Sequence, residues 1–208
     1  MTVIDLTHII TEEMPVYPGT AQPSLVPAAT IGRDHYRETQ LCIWSHVGTH
    51  MDAPAHLLAD GKTLDTYDAA VFCGKAAVID CRGLARDAKI PASCLDGIPE
   101  DIEIVLLNTG HAQNWGTDAY FGTYPTPDED FCRELARHGV HGLGIDAMSV
   151  DPIGNQLPNH RLLFAEGLYI IENLCNLEQI SKDTCMVCAL PLKWKDADGA
   201  PARVVAML

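Results

Sequence analysis

The sequence predicts a mixed α/β fold formed by a single domain, residues 1–208. Apolar runs rich in β-branched residues recur along the whole chain, and one segment carries the start and stop signals of a helix. No internal repeat, low-complexity tract or long polar linker divides the chain. Hydrophobic residues make up 47% of the 208 positions, which is enough for one sizeable core.

Strands outnumber helices in this prediction. Some are expected to pair antiparallel and one pair is joined through a helix, an arrangement typical of a mixed sheet. Apolar, β-branched composition predicts eight strands. They span residues 2–6, 40–52, 74–81, 101–109, 141–146, 167–173, 185–192 and 202–208.

Residues 126–139 are predicted to form the best-marked helix. Thr126 is the expected N-cap, Pro127 occupies the first helical position, and Glu129 completes a capping box. Gly139 is expected to end the helix.

Three shorter elements complete the prediction. Residues 65–72 and 177–181 are predicted as short helices. Residues 196–201, DADGAP, are predicted as a turn between the last two strands, in which Gly199 suits a positive φ.

The charge of the chain disfavours nucleic acid and membrane partners. Asp and Glu number 28 against 14 Lys and Arg, so the formal net charge is −14, and no basic run occurs. The N-terminal residues lack the features of a signal peptide, and no stretch of about 18 apolar residues marks a membrane span. We therefore expect a cytoplasmic protein whose eight cysteines are reduced.

Two short motifs are interpreted as structural. Cys185 and Cys188 form a CxxC pair, but they lie in a predicted strand, where side chains three positions apart point to opposite faces. Residues 142–147 match GxGxxA, but Pro152 follows where a helix should run, and Asp146 would repel a pyrophosphate. We interpret the second motif as a strand that ends in a turn.

Residues 46–56, HVGTHMDAPAH, carry the strongest chemical signal. At the two-residue period of a strand, His46, Gly48, His50 and Asp52 share one face. Gly48 leaves room between the two histidines and permits the bend that would bring both to one ion. Imidazole and carboxylate ligands suit zinc, manganese or iron.

The rest of this stretch separates one more histidine from the strand. A helix is disfavoured because Pro54 would break its hydrogen bonds. Pro54 instead ends the strand, and His56 follows a turn that lets it point back over the site. The alternative, a run of polar residues that binds nothing, is disfavoured because four ionisable residues lie on one short segment.

Two further ligand candidates lie near the end of the chain. His160 follows a proline-containing loop, and Glu172 interrupts the apolar strand GLYIIENL. A glutamate in a buried strand is unfavourable unless it is paired or bound to a metal. We therefore expect both residues to reach the same site as residues 46–56.

These motifs resemble the cyclase family of metal-dependent hydrolases, which includes kynurenine formamidases (arylformamidases) and isatin hydrolases. The pattern H-x-G-T-H-x-D-x-P-x-H at residues 46–56 carries the resemblance. Further matching segments extend it over nearly the whole chain. They are DLTHII (5–10), MPVYPG (14–19), GIDAMSVDP (144–152), the pair of residues 160 and 172, and ALPLKWKDADGAPARVVA (189–206).

The resemblance implies a set of metal ligands. His46, His50 and Asp52 would bind one divalent ion, zinc or manganese. Asp52 and Glu172 would bridge to a second ion, and His160 would complete that site. The family also implies a swivelling β/β/α fold and a homo-oligomer, dimer or tetramer.

The resemblance further implies the reaction. A metal-activated water would cleave a small aryl formamide like N-formylkynurenine to the amine and formate, with His56 as general acid/base. Kynurenine formamidases carry a tryptophan before the N-terminal Pro-Gly; here Tyr17 takes its place and is expected to contact the substrate. No GxSxG motif occurs, which disfavours a serine hydrolase. The alternatives are a hydrolase of a cyclic, isatin-like amide, a cyclase or dehydratase, and a non-catalytic metal-binding protein.

Overall fold

Strands from both ends of the chain meet in one eight-stranded sheet. The computed structural model describes residues 1–208 and contains twelve strands, three α-helices and several short 3₁₀ turns. The strands are β1 Val3–Asp5, β2 Ser24–Ala29, β3 Glu38–Cys42, β4 His50–Asp52, β5 Cys73–Asp80, β6 Lys89–Ile90, β7 Ile104–Asn108, β8 Thr126–Pro127, β9 Gly142–Ile145, β10 Tyr169–Glu172, β11 Thr184–Pro191 and β12 Gly199–Met207. The α-helices are α1 Ile31–Asp34, α2 Glu129–Arg137 and α3 Pro158–Ala165.

The main sheet closes on itself. Its strand order is β1-β12-β11-β5-β7-β9-β10-β4, and β12 also pairs with β4, which joins seven strands into a ring. Strands β5, β7, β9 and β10 run parallel to one another, and the remaining pairs are antiparallel. The predicted mixed α/β fold is confirmed.

Both faces of the central parallel strands are buried. In β7, Ile104 and Leu106 belong to one apolar cluster, whereas Val105 and Leu107 belong to a second cluster on the opposite face. The second cluster includes side chains of α2 and α3, which cover that face. A strand buried on both faces has a continuous apolar run instead of an alternating one, as this segment of β7 does.

Seven of the eight predicted strands correspond to strands of the main sheet. The prediction of one continuous strand over residues 40–52 is wrong. β3 ends at Cys42, and no regular structure follows until β4 begins at His50. Gly48 has a φ of +61°, a conformation that glycine adopts without steric penalty, so the chain turns sharply there instead of bending as a strand.

The predicted N-cap of α2 is also wrong. Thr126 and Pro127 form β8, and the helix begins two residues later, with Asp128 as the cap. The Asp128 carboxylate accepts a backbone hydrogen bond from the first turn at 2.7 Å and complements the helix dipole. Gly139, with a φ of +73°, follows the end of the helix as predicted.

The two segments predicted as short helices form 3₁₀ turns, which wind more tightly than an α-helix. These turns span Leu64–Thr66, Ala69–Phe72 and Leu177–Gln179. In the turn before β12, the positive φ belongs to Asp196, at +58°, whereas Gly199 begins the strand. None of the helices has the length and apolar character that a membrane crossing requires.

All eight cysteines are free thiols. Cys185 is buried and Cys188, three residues further along β11, is half-buried. This difference agrees with thiols that point to opposite faces of the strand.

The glycines of the GxGxxA motif lie in β9, so this motif is part of a strand, as interpreted. Gly142 pairs with Tyr169 of β10, and a Cβ at position 142 would overlap the tyrosine ring. This glycine therefore permits a close approach of side chain and backbone inside the sheet.

We expect Gly142→Ala to lower the free energy of unfolding by about 1–3 kcal/mol, because the added methyl group forces the Tyr169 ring or the strand to move. Urea unfolding of both proteins measures the difference. Gly32→Ala is the control, since a Cβ there meets no atom within 4 Å in the exposed helix α1. Equal unfolding midpoints for the two variants would contradict the steric explanation.

Candidate metal centre and active site

Two carboxylates and one imidazole lie where the ring of strands closes. His50 and Asp52 lie on the same side of β4, and Glu172 of β10 is directly opposite His50 in the antiparallel register. Opposed residues of antiparallel strands share a face, so all three side chains reach one site. These side chains are 2–7% exposed.

His160 reaches this site from α3. The sequence predicts a loop before this residue, but the helix begins at Pro158, and His160 lies in its first turn. The Asp151 carboxylate accepts hydrogen bonds from the backbone N–H groups of Asn159 and His160, each at 3.1 Å. Asp151 also accepts a hydrogen bond from Nδ1 of His160 at 2.8 Å, which leaves Nε2 facing the carboxylates.

His46 lies outside the strands, in the irregular segment 43–49. Its Nδ1 is 2.6 Å from Oδ1 of Asp52, and its Nε2 is 2.9 Å from Oδ2 of Asp198, at the end of the turn before β12. The imidazole packs against Gly199, where a Cβ would overlap the ring. The predicted sharing of one strand face by His46 and His50 is therefore wrong, although both side chains reach the same site.

The donor atoms have the spacing of a metal centre. Nε2 of His50 is 3.1 Å from Oδ1 of Asp52 and 3.5 Å from Oε2 of Glu172. Nε2 of His160 is 3.4 Å from Oδ2 of Asp52 and 3.2 Å from Oε1 of Glu172. Ligands at the usual zinc distances lie about 3.3–3.5 Å apart around a tetrahedral ion, so these side chains could hold a metal with small movements.

The two oxygens of Asp52 face different histidines. Oδ1 faces His46 and His50, whereas Oδ2 faces His160. A carboxylate in this position could bridge two ions, as carboxylates commonly do in two-metal sites.

The charges of the site favour a cation. Asp52 and Glu172 are buried, and neither forms a salt bridge with a lysine or an arginine. Burial opposes protonation of His46, yet the charge of Asp52 and hydrogen bonds to Asp198 and Asp52 raise the pKa of this imidazole to about 10. Burial would raise the pKa of Asp52, but His46 and His50 lower it well below its usual value. The negative charge that raises the pKa of His46 would also favour a divalent cation at this site.

His56 lies beside the cluster, at the end of the 3₁₀ turn Pro54–His56. Its ring centroid is 4.0 Å from that of His46 and 6.3 Å from that of His160. Burial lowers the pKa of His56 to about 4, helped by the charges of His46 and His160 and opposed by Asp52. His56 also offers a ligand atom within 4.8 Å of those of His46 and Asp52, so its position suits either proton transfer or metal binding.

A cavity of about 540 Å³ opens beside these residues, and His46, His50, Asp52, His56, His160 and Glu172 lie in its wall. This volume suits a small organic ligand. Tyr17 and the exposed Trp44 line it as well. The Tyr17 hydroxyl accepts a hydrogen bond from the backbone N–H of Gly154 at 2.9 Å, which ties the N-terminal segment to residues near α3.

Three polar residues of the site are absent from the sequence prediction. Asp151 and Asp198 contact histidines, and Asn173 donates to the Gly48 carbonyl at 2.9 Å while accepting from the Tyr120 hydroxyl at 2.6 Å. Pro158 is typical of the start of a helix, but no sequence pattern links that start to Asp151, seven residues earlier. No local pattern distinguishes Asp198 from an ordinary turn residue.

Comparison with known proteins identifies the family of this chain. The profile of the family described as putative cyclase matches residues 4–152. A kynurenine formamidase from Geobacillus thermodenitrificans (strain NG80-2) is 33% identical over 208 aligned residues, which cover 96% of this chain and 94% of that protein.

Solved structures extend the similarity to the whole fold. Isatin hydrolase A from Labrenzia aggregata, bound to benzyl benzoate, superposes with a TM-score of 0.90 at 27% identity, covering 100% of this chain and 93% of that one. A potential metal-dependent hydrolase with cyclase activity superposes with a TM-score of 0.80 at 31% identity, covering 99% and 96% of the two chains. These matches confirm the resemblance found in the sequence: the chain belongs to the cyclase family.

Proposed function

We propose that this protein is a metal-dependent hydrolase that cleaves a small aryl formamide, of the N-formylkynurenine type, to the amine and formate. The predicted enzyme class, a hydrolase of amide C–N bonds, is confirmed by the kynurenine formamidase and isatin hydrolase relatives. One observation carries the proposal: four imidazoles and two carboxylates converge in the wall of a cavity of about 540 Å³.

We propose that two divalent ions, Zn²⁺ or Mn²⁺, bind here. His46, His50 and Asp52 would hold one ion, and Asp52, His160 and Glu172 would hold the other. When bound, such ions polarise a carbonyl group and lower the pKa of water. Two buried carboxylates without a lysine or arginine partner support this proposal, because buried charges are normally paired or bound to metals.

The other residues of the cavity supply proton transfer and contact with the substrate. We propose that His56 carries the proton to the leaving nitrogen, since its half-buried ring lies beside the carboxylate cluster in the cavity wall. Tyr17 would provide an aromatic wall for the substrate ring, because its hydroxyl is already bonded to the Gly154 backbone.

Hydrolysis of a cyclic, isatin-like amide is the second candidate. The superposition with isatin hydrolase A, at a TM-score of 0.90, favours it. Tyr17 also departs from the tryptophan that the kynurenine formamidase pattern carries before Pro-Gly. Both candidates use the same metal centre and differ in the carbonyl that is attacked.

A hydrolysis assay with metal-loaded protein tests the function and separates the candidates. We expect protein loaded with Zn²⁺ or Mn²⁺ to hold two equivalents of metal by elemental analysis and to hydrolyse N-formylkynurenine or simple aryl formamides faster than isatin. Formate release and ring opening are measured in parallel under identical conditions. Preference for isatin would establish the second candidate, and no metal binding would contradict both.

Replacement of His56 tests its role as proton carrier. We expect His56→Ala to lower kcat by about 100-fold or more while metal content stays at two equivalents, because a proton carrier is not required for metal binding. His141→Ala, at an exposed histidine away from the cavity, is the control and should keep full activity. Parallel loss of metal and activity in His56→Ala would identify His56 as a ligand.

The β2–β3 hairpin supports a homo-oligomer, dimer or tetramer. It pairs with no strand of the main sheet, and an isolated two-stranded hairpin is marginally stable. Val26, Ile31, Tyr36 and Leu41 are 51–69% exposed on this hairpin. Leu41 pairs with Leu25 and Val26 pairs with Gln40, so the exposed apolar side chains lie on both faces of the hairpin. Exposed apolar surface of this kind is typical of protein interfaces. We propose that the hairpin packs on a second copy of the chain.

Light scattering after gel filtration measures the oligomeric state. We expect the wild-type protein to have a multiple of the mass of one chain, and Leu41→Glu to shift it towards that of one chain, because a buried charge would disrupt the interface. Leu84→Glu, at another partly exposed leucine, is the control. A wild-type monomer would contradict the proposal.

We propose a cytoplasmic location for the protein. The eight free thiols support a reducing compartment. Cell fractionation tests this location, and recovery of the protein outside the cytoplasmic fraction would contradict it.

A further inference from the structure

Asp198 contacts the site from the turn between β11 and β12. Its Oδ2 is 2.9 Å from Nε2 of His46 and 3.3 Å from the hydroxyl of Ser45. A carboxylate only accepts hydrogen bonds when ionised, so Nε2 of His46 carries the proton of the shorter contact. The sequence patterns give this residue no role beyond the turn.

Each of the three imidazoles in the cluster has one nitrogen held by an outer acceptor. Nδ1 of His50 is 2.8 Å from the carbonyl oxygen of Gly48, and Nδ1 of His160 is 2.8 Å from Asp151. In His46 the order is reversed, because Nε2 is held by Asp198 and Nδ1 faces Asp52. Histidines that bind metals almost always donate their second ring N–H to a carboxylate or carbonyl in this way.

We propose that Asp198 is a positioning residue that fixes the His46 ring so that Nδ1 binds the metal, whereas His50 and His160 bind through Nε2. This inference rests on the proposed metal-dependent function.

His46 needs such a contact more than the other two histidines do. His50 lies in β4 and His160 in α3, so backbone hydrogen bonds limit where their side chains can go. His46 lies in an irregular segment, and its side chain is 23% exposed. A carboxylate on its outer nitrogen supplies the orientation that the backbone does not.

The sheet places Asp198 accurately. Its carbonyl accepts a hydrogen bond from the backbone N–H of Ala53 at 2.9 Å, and the next residue, Gly199, is paired with Asp52 across β12 and β4. Because Gly199 has no Cβ, the His46 ring lies flush against the start of β12. The position of Asp198 relative to the metal centre is therefore set by strand register.

Two other roles fit the geometry less well. Oδ2 of Asp198 is 4.0 Å from Nδ1 of His56, which is too long for a hydrogen bond that would orient the proton carrier. Asp198 also lies outside both groups of side chains whose donor atoms fall within 4.8 Å of one another. Of the two histidines near the Asp198 carboxylate, only His46 lies at hydrogen-bond length.

Titration with Co²⁺ alone tests the inference, because its visible absorption reports the ligand environment of each ion. We expect the wild-type protein to bind two equivalents. In Asp198→Asn, one equivalent should bind about 10–100-fold more weakly with an altered spectrum, and the other should keep its affinity. Asp196→Asn is the matched control in the same turn, since the salt bridge of the Asp196 carboxylate is with the exposed Lys195 and not with a histidine of the site.

The outcomes separate this inference from the function on which it rests. Unchanged affinity and spectrum in Asp198→Asn would overturn the role of Asp198 while leaving the hydrolase proposal intact. Equal weakening of both equivalents, together with a lower Tm, would also overturn it, since that pattern indicates general structural damage. No Co²⁺ binding by the wild-type protein would overturn the metal-dependent function itself.

Discussion

The pair of buried carboxylates, Asp52 and Glu172, is the constraint on which this structure depends. They lie on the neighbouring antiparallel strands β4 and β10, and no lysine or arginine neutralises them. Buried negative charge of this kind is strongly unfavourable unless positive charge lies beside it. Imidazoles from the irregular segment 43–49, from β4 and from α3 lie beside the carboxylates and can carry positive charge. The proposed divalent ions would supply the remaining positive charge. Closure of the ring of strands buries both carboxylates and therefore depends on the positively charged groups of the site.

Closure of the ring determines which side chains can meet. β4 pairs with β10 on one side and with β12 on the other, so a strand of three residues collects contributions from both neighbours. Glu172 comes from β10, and Asp198 comes from the residue that precedes β12. The register of these pairs brings together residues that are more than a hundred positions apart in the sequence.

The sequence predicts the strands of the main sheet and the five candidate ligands, because each has a local cause. A continuous apolar run predicts the buried strand β7, and a glutamate inside an apolar run makes Glu172 conspicuous. The prediction fails where tertiary contacts decide. The break between β3 and β4 depends on the left-handed Gly48, and Asp198 becomes part of the site only through strand register.

The elements that carry each side chain indicate which parts of the site tolerate substitution. The carboxylates, His50 and His160 lie on strands and a helix of the closed sheet, where a shift in one element would disturb the core on both faces. Another part of the cavity wall comes from irregular segments that carry Tyr17 and Trp44. Loops tolerate substitution better than the elements they connect.

A metal centre built on the sheet and a substrate wall built on loops allow one fold to accept different amides, which is consistent with a formamidase and an isatin hydrolase among the relatives of this chain. Substrate preference is therefore expected to depend on the loop residues, and metal binding on the register of β4, β10 and β12.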